Sequence, residues 1–380
     1  MARKETMTNR ERARAILHYE EYDRMPVVHF GYWQETLEKW RDEGHLSSME
    51  IDGVADGNAK EKAISNKLGF DFNWFNVVRD NSDVLSSIYP PFERKVIEEM
   101  ADGSKKVMNE YGVVELEVPG ARSIPHEYDH LLRDRESWEE LFLPRFQFSE
   151  DRFDRDSMTS LAAESATRAD PLGLFAGSLF GQLRNAMGLE GISYLQVDDP
   201  DLFDEMIHTI GELSYSVTKH LLSSGIEFDF GHFWEDICFN NGPLISPAVF
   251  EDKVGPWYKK ITNLVTDNGI DIVSLDCDGK IDALVPVWVE NGVNTMFPIE
   301  VGTWQADLQP WRNQCGRELR GVGGMDKRVF AKDRAAIDLE VERLKGLIDL
   351  GGYIPCVDHR IPPDAEWDNV LHYCDRMRNM

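Results

Sequence analysis

The chain has 380 residues, with 68 acidic against 41 basic side chains and a formal net charge of −27. That field repels a phosphate backbone and an anionic lipid surface, so nucleic acid and membrane are poor partners. Hydrophobic residues at 42% and aromatics at 11% suffice for a sizeable core and argue against disorder. The opening stretch "MARKETMTNRERARAILHYEEYDR" has no apolar h-region, and no long uninterrupted apolar run follows it. Neither a signal peptide nor a transmembrane span is expected. Cys238, Cys277, Cys315, Cys356 and Cys374 are odd in number and lack finger-like spacing, so they read as reduced thiols in a cytoplasmic protein.

Short apolar runs, many ending in polar residues, alternate with helical patterns along the chain. In order they are "PVVHFGYW" (26–33), "FDFNWFNVV" (70–78), "LGLFAGSLF" (172–180), "IEFDFGHFW" (226–234), "IDIVSLDCDG" (270–279), "NTMFPIEVG" (294–302), "LRGVGGMD" (319–326) and "GGYIPCVDH" (351–359). Amphipathic stretches lie between several of them. In "DRAAIDLEVERLKGLIDLGG" the residues Ile337, Val341, Leu344 and Ile348 recur at helical steps, and Gly351 supplies a stop. Eight strand candidates, mostly followed by helices, predict an α/β fold: a TIM (β/α)8 barrel whose mouth lies at the strand C-terminal ends. Turn signals at Asp102-Gly103 and Tyr111-Gly112 mark residues 84–120 as a small antiparallel insertion. With no linker or repeat, residues 1–380 read as a single domain.

A barrel brings the strand ends to one rim. They offer His29, then Asn73 and Asn76, then His232, Glu235 and Asp236, then Asp276 and Asp278, then Glu300, Asp326 and Lys327, and finally Cys356, Asp358 and His359. The stretch "VSLDCDGK" carries the most information. Alternation along a strand points Asp276 and Asp278 one way and Cys277 the other. Two neighbouring carboxylates coexist when a proton or a metal sits between them. Carboxylates, a thiol and an imidazole are ligand types for a divalent metal, zinc first; a proton-sharing carboxylate dyad is the alternative. Asp326 before Lys327 and Arg328 also reads as a helix cap or surface ion pair. The glycines of "GVGGMDK" lack phosphate-loop spacing and read as close backbone packing.

Over almost its whole length the chain resembles the uroporphyrinogen decarboxylase-like superfamily, which includes corrinoid-dependent methyltransferases. The resemblance rests on "NRERARAILHYEEYDRMPV", "LGFDFNWFNVV", "GPLISPAVFEDKVGPWYKKI", "IVSLDCDGKIDALVPVWVENGVNTMFPIEVG", "GGMDKR" and "GGYIPCVDHRIPPD". It implies a TIM-type barrel. The decarboxylase itself binds substrate propionates through an arginine-rich stretch after its first strand, where this chain reads "HFGYWQETLEKW". Its catalytic aspartate aligns with Asn76, which cannot supply a carboxylate. The methylcobalamin:thiol enzymes hold zinc through a His-x-Cys pair and a later Cys; aligned on Gly279 these become Asp276, Asp278 and Cys356.

An oxygen-rich site leaves a metal a stronger Lewis acid, suited to activating a methyl ether. The resemblance therefore implies a methyltransferase that demethylates a methoxylated, aromatic compound and passes the methyl group to Co(I) of a separate corrinoid protein. No "DxHxxG" cobalamin motif occurs in the chain, so the cobalamin would be supplied by that partner. Zn2+ would be held among Asp276, Asp278, Glu300, Cys356 and His359, with His232, Glu235, Asp236 and Asn76 as the catalytic set. Phe30, Tyr32, Trp33, Phe72, Trp74 and Phe75 either pack a substrate ring or belong to the core. A methylcobalamin:tetrahydrofolate or thiol methyltransferase, and a metal-free lyase or decarboxylase, are the alternatives.

Overall fold

The computed structural model describes residues 5–82, 87–118 and 126–380. Among these residues one parallel sheet of nine strands dominates: β1 (Val28–His29), β2 (Phe72–Asn73), β3 (Val77–Val78), β8 (Gly173–Gly177), β9 (Phe230–Trp234), β12 (Val273–Asp276), β13 (Thr295–Ile299), β14 (Arg320–Met325) and β15 (Tyr353–Val357). Its order is β2-β1-β15-β14-β13-β12-β9-β8-β3. The two end strands are halves of one extended segment, residues 72–78. The first half pairs with β1 and the second with β8, so the segment bridges the two edges and the sheet closes on itself. This is the expected barrel, with its second strand interrupted at residues 74–76.

Residues paired across a parallel ladder share a face. His232 pairs with Ser274, Trp234 with Asp276, and Asp276 with Phe297. Trp74 stacks on Phe230 at 4.3 Å and donates to Ser274 Oγ, while Phe30 meets Phe297 at 4.5 Å. These side chains therefore fill the barrel interior. Phe233 and Glu235, of the opposite parity, turn outward against Tyr258 in the helix Gly255–Asp267. The floor is sealed by the N-terminal helix Asn9–Leu17, where Arg10 pairs with Asp229 and Arg320 donates to the Leu17 carbonyl.

Between the second and third barrel strands the chain makes a four-stranded antiparallel sheet, β4 (Lys95–Glu99), β5 (Lys105–Met108), β6 (Val113–Glu117) and β7 (His126–His130), ordered β4-β5-β6-β7. The expected insertion is present and extends to His130; the parts of 84–120 at 84–86 and 119–120 lie outside the described residues. A two-stranded ribbon, β10 (Cys238–Phe239) and β11 (Gly242–Pro243), follows β9. Helix Arg334–Ile348 forms as its periodicity requires. Ile337, Val341 and Leu344 are buried and Asp333 caps the Ala336 amide, while Gly351 takes the left-handed conformation just beyond the end. Close packing also explains "GVGGMDK": a Cβ on Gly323 would overlap the backbone nitrogen of Ile299. No helix among the described residues is long and apolar enough to cross a membrane.

Candidate active site at the barrel mouth

The alternation read from "VSLDCDGK" holds in the structure. Asp276 lies on the inward face and Cys277 on the outer one, where its sulfur accepts the Ile237 amide at 3.3 Å. Gly279 then turns the chain with φ +84°, and a Cβ there would overlap the Cys238 carbonyl oxygen. Its amide donates to Glu300 Oε2 at 2.6 Å, and Thr303 Oγ1 donates to Glu300 Oε1 at 2.9 Å. The turn after the fifth barrel strand is thereby tied to the end of the sixth.

From the eighth strand, His359 Nε2 reaches Asp278 Oδ2 at 3.2 Å. Its ring stacks on Trp33 at 5.6 Å and meets Phe30 edge-on at 5.7 Å. Asp236, just past the fourth strand, has φ +45°, and Arg184 holds its carbonyl at 2.7 Å and its carboxylate at 2.8 Å. Asp236, Asp276, Asp278 and Glu300 thus gather around His359 at the mouth.

Their electrostatics follow from burial and proximity. Burial pushes Asp276 well above the usual carboxylate range. The charges of Asp278, Asp236 and Glu300 push it further, and Arg360 pulls the other way. Glu300 is raised by burial and by Asp278, against the Gly279 amide, Thr303 and His359. Asp236 is raised by burial in spite of Arg184. Two atoms of the group, Asp278 Oδ1 and His359 Nδ1, are buried without a hydrogen-bond partner. Buried polar atoms without a partner call for an explanation, and carboxylate oxygen and imidazole nitrogen are donor types that suit a divalent cation. Among the described residues no three or more His, Cys, Asp or Glu side chains are drawn around one point as a finished ligand set.

The remaining sequence candidates disperse. His232 is fully buried in an aromatic cage of Phe75, Phe230 and Phe297; neither ring nitrogen has a partner, and burial lowers its pKa to about 3. Glu235, expected at the rim, faces outward. It accepts from the Leu179 amide at 3.0 Å, the Gly181 amide at 2.6 Å and Tyr258 Oη at 2.7 Å, fixing the start of the helix Phe180–Asp198. Asn76 sits at the interruption of the second strand with its amide oxygen against Gly57. Cys356 is fully buried, and burial raises its thiol, with Asp358 and Asp276 adding to the shift.

His29 also lies outside the barrel wall, its Nε2 3.0 Å from Glu61 and 2.9 Å from Ser65. Asp326 caps the turn Lys327–Ala331 and pairs with Arg328 at 2.8 Å, as its bland reading had it. Asp358 accepts the Gly302 and Lys327 amides, at 2.7 and 3.1 Å, and ties two rim loops together. Most of the early aromatics are core; Trp33, Phe30 and Phe75 border the mouth. Sequence reasoning missed Arg184 and Arg360. Arg360 directly follows His359 and was legible as a rim residue; Arg184 sits in a helix with no local signal.

The family model described as uroporphyrinogen decarboxylase (URO-D) matches residues 114–380. Among solved structures, a methyltransferase from Methanosarcina mazei superposes with a TM-score of 0.63 at 15% identity, covering 98% of each chain. A B12-independent methionine synthase from Shewanella sp. W3-18-1 gives a TM-score of 0.45 at 9% identity, covering 92% of this chain and 97% of that one. No curated protein matches the chain.

Proposed function

Because the chain belongs to the uroporphyrinogen decarboxylase family, we propose that it is a methyltransferase that demethylates a methoxylated aromatic compound and passes the methyl group to a corrinoid protein. The observation that carries this reading is the gathering of Asp236, Asp276, Asp278 and Glu300 around His359, with Asp278 Oδ1 and His359 Nδ1 buried and unpartnered. The Methanosarcina protein of the same fold is a methyltransferase, which brings group transfer to this chain. The absence of arginines from residues 29–40 argues against a polyanionic tetrapyrrole.

Asp276, Asp278, Glu300 and His359 would hold a divalent cation, zinc first, with Cys356 next to Asp276 below them. When bound, the ion supplies Lewis acidity at the ether oxygen, and the partner's corrinoid supplies the nucleophile for the methyl group. The chain's own residues do the rest. Glu300, fixed by the Gly279 amide, anchors the loop that carries Asp278. Phe30, Phe75 and Trp33 present ring faces and edges against which an aromatic substrate stacks. Asp236, raised by burial, held by Arg184 and partly open to solvent, would exchange a proton with the departing oxygen. His232, neutral in its cage, keeps the interior below the site uncharged.

A second reading is a metal-free lyase in which Asp276 and Asp278 share a proton. The strong upward shift of Asp276 favours it. The test is methyl transfer from methoxybenzenes and methoxybenzoates to reduced free cobalamin, followed by the visible spectrum. Methylcobalamin formation is expected. Its absence with every donor, alongside methyl transfer from methylcobalamin to tetrahydrofolate or a thiol, would assign the opposite half-reaction.

A further inference from the structure

A cleft of about 360 Å³ opens beside the mouth at the ends of the first two barrel strands, with Tyr32, Phe75, Asp56, Glu61, Arg79 and Arg360 among its walls. The Phe30 ring lies 5.6 Å from Phe75, 5.7 Å from the His359 ring and 5.7 Å from the Arg360 guanidinium carbon. Cleft and acid cluster therefore meet across one aromatic side chain.

The two acids and two arginines of the cleft balance in number but not in pairing. Asp56 holds Arg360 through two contacts, 2.6 and 3.2 Å, and accepts from Asn73 at 3.0 Å. Glu61 is satisfied by His29 and Ser65; His29 Nδ1 accepts the Gly31 amide at 2.9 Å, so its Nε2 carries the hydrogen that faces Glu61. Arg79 is half-buried in the cleft wall and makes no hydrogen bond or ion pair with any described residue. Arg79 is thus the charged side chain of the cleft wall that has no acid partner among the described residues.

The geometry points to an anion subsite in which Arg79, seconded by Arg360, holds the carboxylate of a methoxylated aromatic monocarboxylate, with its ring against Phe30 and Phe75 and its methoxy group toward Asp278 and His359. A single negative charge fits, because Asp56 already offsets Arg360 and a polyanion would meet Asp56 and Glu61. These arginines come after the second and eighth strands, not after the first. The inference rests on the demethylation reading for its ring and methoxy group, and on the cleft alone for its charge.

The experiment is titration calorimetry of the full chain with 3-methoxybenzoate and the neutral 3-methoxybenzamide, on wild type, Arg79→Gln and Arg79→Lys, with methyl transfer to reduced cobalamin measured in parallel. Wild type is expected to favour the carboxylate by about tenfold or more. Arg79→Gln should bind both probes alike, and Arg79→Lys should keep part of the preference. Equal binding of the two probes by wild type, or a preference that survives Arg79→Gln, overturns the subsite. If the amide donates methyl as well as the acid does, the subsite fails and demethylation stands. If the charge preference holds but neither probe donates methyl, the subsite stands and demethylation fails.

Discussion

His359 Nε2 lies 3.2 Å from Asp278 Oδ2, while the other heteroatoms of the two side chains, Nδ1 and Oδ1, are buried without partners. The pair is satisfied on one side, and its two remaining polar atoms have no hydrogen-bond partner. Asp276, Asp236 and Glu300 surround it, and Arg184 and Arg360 offset only part of the negative charge that the site accumulates. Such clusters lower the stability of the empty fold and mark function.

Asp278→Asn should therefore stabilise the chelator-treated protein while abolishing methyl transfer. Removing one of the repelling carboxylates is expected to raise unfolding free energy by about 1 kcal/mol at neutral pH. Thermal unfolding in chelator checks this; a clear loss of stability would mean that Asp278 is a structural ion-pair residue.

His232 dictates a pH dependence. Its folded pKa, lowered to about 3, lies below the ordinary 6.5. Between those values the unfolded chain binds a proton that the folded chain refuses, so stability falls as pH drops from 6.5 toward 3 and is flat above. The slope from this group is roughly 1.4 kcal/mol per pH unit. His232→Leu, which suits the aromatic cage and removes two unpaired nitrogens, should flatten that part of the acid limb without lowering stability at pH 7. Urea unfolding midpoints across the pH range measure it.

Glu235→Ala should unfold readily. It strands the Leu179 and Gly181 amides and the Tyr258 hydroxyl inside the protein, at a cost of about 3 kcal/mol. A variant that keeps its urea midpoint but loses turnover would return Glu235 to the catalytic set.

Gly279→Ala combines a left-handed backbone with overlap on the Cys238 carbonyl. It should cost about 2 kcal/mol or more and displace Asp278 from His359. Its turnover should fall further than that of a variant equally destabilised elsewhere, which a paired comparison of denaturation and rate reads.

How much was legible in the sequence depended on alternation. Along 273–278 the period of two placed Asp276, Cys277 and Asp278 correctly. Applied with equal rigour to "FGHFWE" it would have turned His232 inward and Glu235 outward, as the structure does. His29 is masked in another way: its strand is only two residues long, too short for a pattern to show that its side chain turns toward Ser65 and Glu61. The closure of the barrel through an interrupted second strand was also invisible, since "FDFNWFNVV" reads as one apolar run. Arg184 joins the site by tertiary approach alone, whereas Arg360 follows His359 directly in the chain.

The measurement that bears most directly on this account is elemental analysis of protein purified without chelator, comparing wild type with Asp278→Ala. About one zinc per chain in wild type, lost in the variant, is the predicted result. No divalent metal in either protein would contradict it: Asp276 and Asp278 would then share a proton, and the chemistry at this mouth would be that of an acid–base lyase.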